Sequence, residues 1–171
     1  MSKGPVSFDW KRLGNVELGR KNLGGQMPVL VYRLMQYTMI DVVAAHSGKE
    51  EAADMTREAG HLAGFAFAEN MLDLTVDFDT FVSQLQKALK DLSIGILRIE
   101  SADMAALHFM LTVDEDLDCS GLDVTGETVC YYDEGFIAGI FKAYTGKDFS
   151  AIEIDCWATG ARTCRFEVKA L

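Results

Sequence analysis

The chain has 171 residues, 49% of them hydrophobic and 25% charged, and this composition is typical of a single globular domain that folds without disulfides. Its formal net charge of −10 argues against binding to nucleic acid or to anionic lipid, because both rely on cationic side chains. No stretch reaches the roughly 20 apolar residues of a membrane span, so we expect a cytoplasmic protein whose cysteines are reduced thiols or metal ligands.

The first 27 residues are rich in glycine. We therefore predict an extended or loop-like N-terminal arm over residues 1–27. Its apolar side chains, which include Phe8, Val16 and Leu18, can pack onto the body of the protein or onto a second subunit. We predict one domain over residues 28–171, and the arm favours a homodimer.

Apolar residues then recur at spacings of three and four, which indicates helices. A first helix is predicted from Pro28 to Gly48, because proline is compatible with the first turn of a helix and glycine commonly ends one. A second is predicted over about 49–72; its small residues between Gly60 and Ala68 permit close helix packing or leave space for a ligand. A third is predicted over about 79–92. Its apolar stripe comprises Phe81, Leu85, Ala88, Leu89 and Leu92.

The second half of the chain contains short apolar runs that are typical of strands, interrupted by one further helical pattern. The predicted strands are 94–99, 107–113, 149–157 and 163–168, and the predicted helix is 128–144. On that helix we assign Tyr131 and Asp133 to the polar side. The order of elements indicates an α+β domain in which N-terminal helices pack on a mostly antiparallel sheet.

Two cysteines near the C-terminus have a spacing that suggests a hairpin site. A three-residue turn at 159–161 would place Cys156 opposite Cys164, so that both sulfurs could reach one metal ion. Glu153 lies on the opposite strand face from Cys156 unless the strand bends, bulges or ends there. Cys130, at the start of a predicted helix, would supply a third sulfur.

Several interpretations of this cluster stay open at the level of spacing. Thiolates and a carboxylate together suit a closed, four-ligand structural zinc site. Cys119 could replace Glu153 to make a four-cysteine site. The total charge of three thiolates, one carboxylate and Zn²⁺ is −2, which Arg162 and Arg165 could offset. The alternatives are buried cysteines that pack as small hydrophobic side chains and, less in keeping with a cytosolic protein, a cross-strand disulfide.

The segment from Asp118 to Val168 resembles the 4-vinyl reductase domain family, and the Gly-rich helix at 58–69 is also similar. The matching features are Cys-Ser-Gly-Leu at 119–122, Cys130, Glu-Gly-Phe-Ile-Ala-Gly at 134–139, and Glu153-x-x-Cys156 followed by Gly160, Cys164, Arg165 and Phe166.

The resemblance implies a fold like that of TRAPP vesicle-tethering subunits, with helices against an antiparallel sheet that enclose an apolar cavity. In the related phenol-responsive activators, zinc is held by three cysteines and a glutamate. The matching residues here are Cys130, Glu153, Cys156 and Cys164. Those sensors also grip the phenol hydroxyl with a His and a Trp, for which His108 is a candidate here.

From the resemblance we expect a sensor or carrier that binds a small apolar or aromatic molecule and contains a structural zinc. The candidate pocket residues are Met39, Gly64, Phe67, Phe81, His108 and Phe109. An enzyme or accessory protein of tetrapyrrole vinyl reduction and a structural adaptor are the alternatives. No nucleophile–base pair or cofactor-binding motif stands out, so a non-enzymatic function is favoured.

Overall fold

A computed structural model describes residues 6–171, so the first five residues of the predicted arm lie outside the described part. The chain divides into two compact units, with the boundary between Ala53 and Asp54. This boundary falls inside a helix. The division into an arm of residues 1–27 and a domain of residues 28–171 remains a prediction.

The first unit contains a 3-10 turn at Trp10–Leu13, a short helix α1 at Val16–Gly19 and a long helix α2 at Val29–Ser47. The predicted bounds of α2 are confirmed: Pro28 precedes it, and Gly48 ends it with a φ of 92°, a conformation that favours glycine. None of the α2 residues is buried.

The second unit begins within helix α3, Lys49–Met71, and continues with helix α4, Phe78–Asp91. The carboxylate of Asp77 accepts a hydrogen bond from the Thr80 backbone N–H at 3.1 Å and so caps α4. Phe81, Leu85 and Leu89 of the predicted stripe are buried. Leu92, which we assigned to the same stripe, is 51% exposed because α4 has already ended.

The remaining elements form one antiparallel sheet and a last helix. In chain order they are β1 at Ile96–Asp103, β2 at His108–Asp114, helix α5 at Tyr131–Thr145, β3 at Phe149–Asp155 and β4 at Cys164–Ala170. The strand order across the sheet is β1-β2-β4-β3, and every neighbouring pair is antiparallel. The predicted α+β class with an antiparallel sheet is therefore confirmed.

The two faces of the sheet differ as strand alternation requires. On β4, Cys164, Phe166 and Val168 are buried, whereas Arg165, Glu167 and Lys169 between them are at least partly exposed. The buried face carries an aromatic cluster in which the Phe109 and Phe141 rings lie 4.7 Å apart. The hydrophobic core thus lies between this face and the helices of the second unit.

Helices α3 and α5 approach each other backbone to backbone through glycines on both sides. A Cβ atom on Gly64 would lie 2.0 Å from the Phe136 carbonyl oxygen, and one on Gly135 would lie 2.0 Å from the Arg57 carbonyl oxygen. Any side chain at these positions would clash with main-chain atoms. The small residues of α3 therefore serve close helix packing, one of the two predicted alternatives.

No helix among residues 6–171 is both long enough and apolar enough to cross a membrane.

Candidate metal centre and adjacent cavity

Five potential metal ligands converge at one end of the sheet, and all five are buried. One ligand atom from each lies within 4.8 Å of every other. We call this set the cysteine–glutamate cluster. Its members are Cys119, Cys130, Glu153, Cys156 and Cys164.

Two members come from the connection between β2 and α5. Cys130 is the residue that precedes the first turn of α5. Cys119 lies in a turn held by Asp116, whose Oδ1 accepts hydrogen bonds from the backbone N–H groups of Asp118 at 2.8 Å and Cys119 at 3.0 Å. The same connection is tied to the other side of the site, because the indole N–H of Trp157 donates to the Leu122 carbonyl at 3.0 Å.

The other three members come from β3, β4 and the segment between them. The predicted three-residue turn, with Cys156 directly opposite Cys164, is wrong. Strand β3 ends at Asp155, a 3-10 turn at Trp157–Thr159 follows, and β4 begins only at Cys164. The hydroxyl of Thr159 donates to the Cys156 carbonyl at 2.8 Å and stabilises this longer connection.

An irregularity in β3 brings Glu153 to the same side as Cys156. The pairing of β3 with β4 shifts register between Glu153 and Asp155, and the strand then ends. A regular strand would have put Glu153 and Cys156 on opposite faces. The condition that we set for Glu153, a bend, bulge or strand end, is therefore met.

The spacing of the sulfur atoms fits a tetrahedral site made by three of the four cysteines. The Cys130 sulfur lies 3.8 Å from the sulfurs of both Cys156 and Cys164. Zinc bound tetrahedrally at about 2.3 Å from each sulfur places neighbouring sulfurs about 3.8 Å apart. The sulfurs of Cys119 and Cys164 are 3.0 Å apart, which is too short for that edge.

The carboxylate of Glu153 has one oxygen to spare for a metal. Its Oε2 accepts a hydrogen bond from the Cys130 N–H at 3.1 Å, whereas its Oε1 is buried and has no hydrogen-bond partner within residues 6–171. Burial raises the pKa of Glu153 to about 8, because the charged carboxylate loses its hydration there. A bound cation would satisfy Oε1 and stabilise the charge.

The thiols also interact strongly with one another. Hydrogen bonds from the other three thiols, that of Cys119 first, lower the pKa of Cys156, and the same network raises the pKa values of Cys130 and Cys164. One thiolate surrounded by thiol donors is the arrangement that results. Metal binding would require further thiols to lose their protons, as in other thiolate sites.

A buried ion pair supports the cluster from behind. Glu134 accepts a hydrogen bond from the Glu153 backbone N–H at 2.8 Å through Oε1, and from Arg57 Nε at 2.5 Å through Oε2. Glu134 is 5% exposed, and Arg57 reaches it from α3. Sequence reasoning missed this pair, although Glu134 stands at the start of the motif at 134–139.

The two arginines that we expected to offset the charge of the site make other contacts. The guanidinium of Arg162 lies over the Trp157 ring, with its carbon 4.6 Å from the ring centroid. Arg165 pairs with Glu100, at 2.5 Å between Nη2 and Oε2, on the exposed face of the sheet. Alternation along β4 points Arg165 away from Cys164, which explains the second of these differences.

An apolar cavity lies between the sheet and helices α4 and α5, beside the cluster. Its volume is about 30 Å³. Ten of its twelve lining side chains are apolar, and the two others are Asp116 and Asp133. The cavity is lined by Leu85, Leu89, Ile94, Leu97, Leu111, Val113, Asp116, Asp133, Phe136, Ile137, Ile140 and Phe141.

Asp133 therefore does not belong to a solvated polar side of α5, which is where the sequence pattern placed it. Burial raises the pKa of Asp133 well above its usual range, and the charges of Asp116 and Asp118 add to the effect. Burial and the charge of Asp118 also raise the pKa of Asp116 to about 6. A carboxyl group one turn after Cys130 was visible in the sequence, but nothing there indicated which way it points.

The structure does not gather the six candidate pocket residues around this cavity. Phe81 and Phe109 are fully buried in the aromatic core, and the Phe67 ring packs against Phe136 at 5.3 Å. His108 is exposed and contacts Glu167 at 3.0 Å. Gly64 lies against the α5 backbone, and Met39 is 62% exposed in the first unit. Their role in ligand binding remains a prediction.

Comparison with known proteins gives several relatives. An uncharacterized protein of Methanocaldococcus jannaschii is 24% identical over 164 residues, which are 96% of this chain and 88% of the relative. Two others from the same archaeon are 28% and 32% identical, and the matches span 58% and 46% of their lengths. The chain thus spans about half the length of these two.

Three solved structures are similar in fold. The phenol-responsive sensory domain of the transcription activator PoxR, with phenol, matches with a TM-score of 0.70 at 17% identity, over 86% of this chain and 78% of that one. A vinyl-4-reductase family protein from Methanocaldococcus jannaschii gives 0.63 at 16% identity, over 98% and 99%. A trafficking protein particle complex subunit 3 from Naegleria fowleri, covalently bound to palmitic acid, gives 0.61 at 14% identity, over 84% and 92%.

These likenesses establish the fold, and the predicted similarity to TRAPP subunits is confirmed. Residues 109–170 also match the family model of the 4-vinyl reductase domain. The matched range contains every member of the cysteine–glutamate cluster. The resemblance predicted from the sequence is thereby confirmed, and residues 109–170 of this chain form a domain of the 4-vinyl reductase family.

Proposed function

We propose that this chain is a sensor or carrier domain that binds a small apolar or aromatic molecule, with a structural zinc ion beside the binding cavity. The observation that carries the proposal is the adjacency of the apolar cavity to the cysteine–glutamate cluster. Ligand sites are typically apolar cavities with a few polar groups, and this cavity has that character. Two structural neighbours, described with phenol and with palmitic acid, add support by analogy.

In this proposal the zinc is held by Cys130, Glu153, Cys156 and Cys164. The sulfur spacings of 3.8 Å and the unpartnered Oε1 of Glu153 support this set. When bound, zinc would supply a rigid cross-link and positive charge. Because its ligands come from the start of α5, from β3 and from β4, the ion would tie these elements together at one end of the sheet.

The route from cavity to zinc suggests how binding could be sensed. Asp116 lines the cavity and holds the turn that carries Cys119, and Asp133 lines it one turn after Cys130. A ligand that moves either carboxyl group would change the surroundings of the metal. The output would be a changed contact with another protein or subunit.

Native mass spectrometry of protein purified without chelators tests the function. We expect one zinc per chain and, on gentle desolvation, an additional small-molecule mass or a mass shift after incubation with phenol. Protein that has all thiols free, no metal and no affinity for apolar compounds would contradict the proposal. A tightly bound tetrapyrrole would instead favour the alternative in vinyl reduction.

We further propose that the chain forms a homodimer through its first unit. Helix α2 presents an exposed apolar stripe in which Leu34 is 63% exposed, Met35 55% and Val42 57%. Positions 31, 34 or 35, 38 or 39 and 42 repeat at the spacing by which two helices pack along a seam. A second copy of the same helix matches such a stripe. Analytical ultracentrifugation tests this, and a monomer at all concentrations would contradict it.

A further inference from the structure

The two acidic groups of the cavity have different hydrogen-bond environments. The Oδ1 atom of Asp116 accepts the backbone N–H groups of Asp118 and Cys119. The Oδ2 atom of Asp133 is buried and has no partner within residues 6–171. Buried polar atoms are almost always paired in folded proteins, so this exception needs an explanation.

The charge state of the pair makes Asp133 Oδ2 an acceptor. Asp133 donates a side-chain hydrogen bond to Asp116, and this contact raises the pKa of Asp133 while it lowers that of Asp116. With the shared proton between the two carboxyls, the second oxygen of Asp133 is left with free lone pairs. All other side chains around it in the cavity, Asp116 apart, are apolar and offer no donor.

We propose that the cavity recognises its ligand by a hydrogen-bond-donating head, a hydroxyl or an amine, that donates to Oδ2 of Asp133, while the apolar body of the ligand packs on the surrounding side chains. The inference rests on the proposed ligand-binding function and narrows it to a chemical class. The body would contact Leu85, Ile137 and Phe141 among others.

The size of the cavity sets a condition on binding. A volume of about 30 Å³ is that of two or three water-sized spheres, each of which needs about 10–15 Å³. A six-membered ring enters only if lining side chains change rotamer. Compounds of equal size share this cost, so a comparison between them isolates the contribution of the head group.

The head group would also lie next to the cysteine–glutamate cluster. Ligand atoms of Asp116, Cys130 and Asp133 all lie within 4.8 Å of one another. A ligand bound through Asp133 is therefore one residue contact from the proposed zinc. This adjacency distinguishes the site from an apolar cavity elsewhere in the core.

Titration calorimetry with three compounds of nearly equal size, toluene, phenol and aniline, tests the inference on the metal-loaded protein. They carry a methyl, a hydroxyl and an amine on the same ring. We expect phenol and aniline to bind at least about tenfold more tightly than toluene, because a site that accepts a hydrogen bond rejects the analogue without a donor. The hydroxyl and amine arms show which donor is preferred.

Asp133→Leu removes the acceptor, and we expect the three affinities to converge to within about twofold. Asp79→Leu, which removes an exposed carboxylate on α4, is the matched control and should keep the preference. Zinc content and thermal unfolding confirm that each variant is folded. Asp133→Asn, which keeps a carbonyl oxygen, serves if the leucine variant does not fold, and should retain part of the preference.

Equal affinity of the wild-type protein for all three compounds would overturn the inference and leave the proposed function standing. A preference for phenol that survives Asp133→Leu would overturn it as well. Failure of all three compounds to bind would count against both the inference and the ligand-binding part of the proposed function.

Discussion

Helices α2 and α5 are both rich in apolar residues, yet they differ completely in burial. All but one of the eight residues from Glu134 to Phe141 on α5 are buried, whereas none of the 19 residues of α2 is. Helix α5 contacts α3 through paired glycines and packs on β3. The difference shows that apolar composition sets the capacity of a helix for burial, and that a neighbour with a fitting surface determines whether it is used.

The same contrast holds for the chemistry of the two units. The cysteine–glutamate cluster, the cavity and the Arg57–Glu134 pair all lie between residues 54 and 171. The first unit contributes exposed apolar side chains, among them Leu23, Leu30 and Leu34. We therefore expect changes in the second unit to affect stability and changes on α2 to affect association.

The largest effect is expected for removal of a proposed zinc ligand from the second unit. Cys156→Ser should abolish zinc binding and lower the free energy of unfolding by about 4 kcal/mol, the value for a metal present at about 1,000 times its Kd. Metal analysis and thermal unfolding measure both effects.

Cys119→Ser is the matched control for that prediction, because Cys119 is equally buried but falls outside the proposed ligand set. It should retain one zinc per chain. If Cys119→Ser loses the metal while Glu153→Gln keeps it, the site is a four-cysteine site and our ligand assignment is wrong.

A smaller effect is expected where α3 meets α5. Gly64→Ala should destabilise the protein by about 1–3 kcal/mol, because the new Cβ would collide with the Phe136 carbonyl and the backbones would have to separate. In the first unit, Gly19→Ala meets nothing within 4 Å and should change stability by less than about 0.5 kcal/mol. Chemical denaturation measures both, and equal effects would contradict the difference in packing.

The ion pair behind the cluster should contribute less again. Arg57→Met leaves the buried carboxylate of Glu134 without its guanidinium partner and should cost about 1–2 kcal/mol, reduced because Arg57 is itself 39% exposed. Arg165→Met breaks a pair with the partly exposed Glu100, so we expect about 0–1 kcal/mol. A larger loss for Arg165 than for Arg57 in urea denaturation would refute this ranking.

The smallest effect on stability, but the largest on association, is expected for α2. Leu34→Glu should change the unfolding free energy of the monomer by less than about 0.5 kcal/mol, because the side chain is 63% exposed, while it shifts the chain toward the monomer. Leu92→Glu alters another leucine, 51% exposed, in the second unit and should leave the oligomeric state unchanged. Sedimentation velocity separates these outcomes.

The sequence predicted the bounds of the helices and most strands well, because apolar spacing and terminal residues such as Pro28 and Gly48 are local signals. The connection between β3 and β4 was predicted wrongly. Its 3-10 turn depends on hydrogen bonds to Thr159 and Cys156, and no periodic pattern encodes them.

Four of the five cluster members could be selected from spacing and family resemblance, and Cys119 was already an alternative. The groups around them could not. Glu134, Arg57 and Asp133 lie on helices whose rotation decides which side chains face inward. That rotation is set by the glycine contacts between α3 and α5, which join residues more than 70 positions apart.

The sequence by itself determined the class of fold, the thiol and carboxylate donors, and the apolar content of each helix, since these follow from residue type and local order. Only the tertiary structure decided that Cys119 sits within reach of the other sulfurs, that β3 bends at Glu153, and that α5 turns Asp133 toward an apolar cavity. These features depend on contacts between distant segments, whose geometry is set by packing of the whole second unit rather than by any local preference.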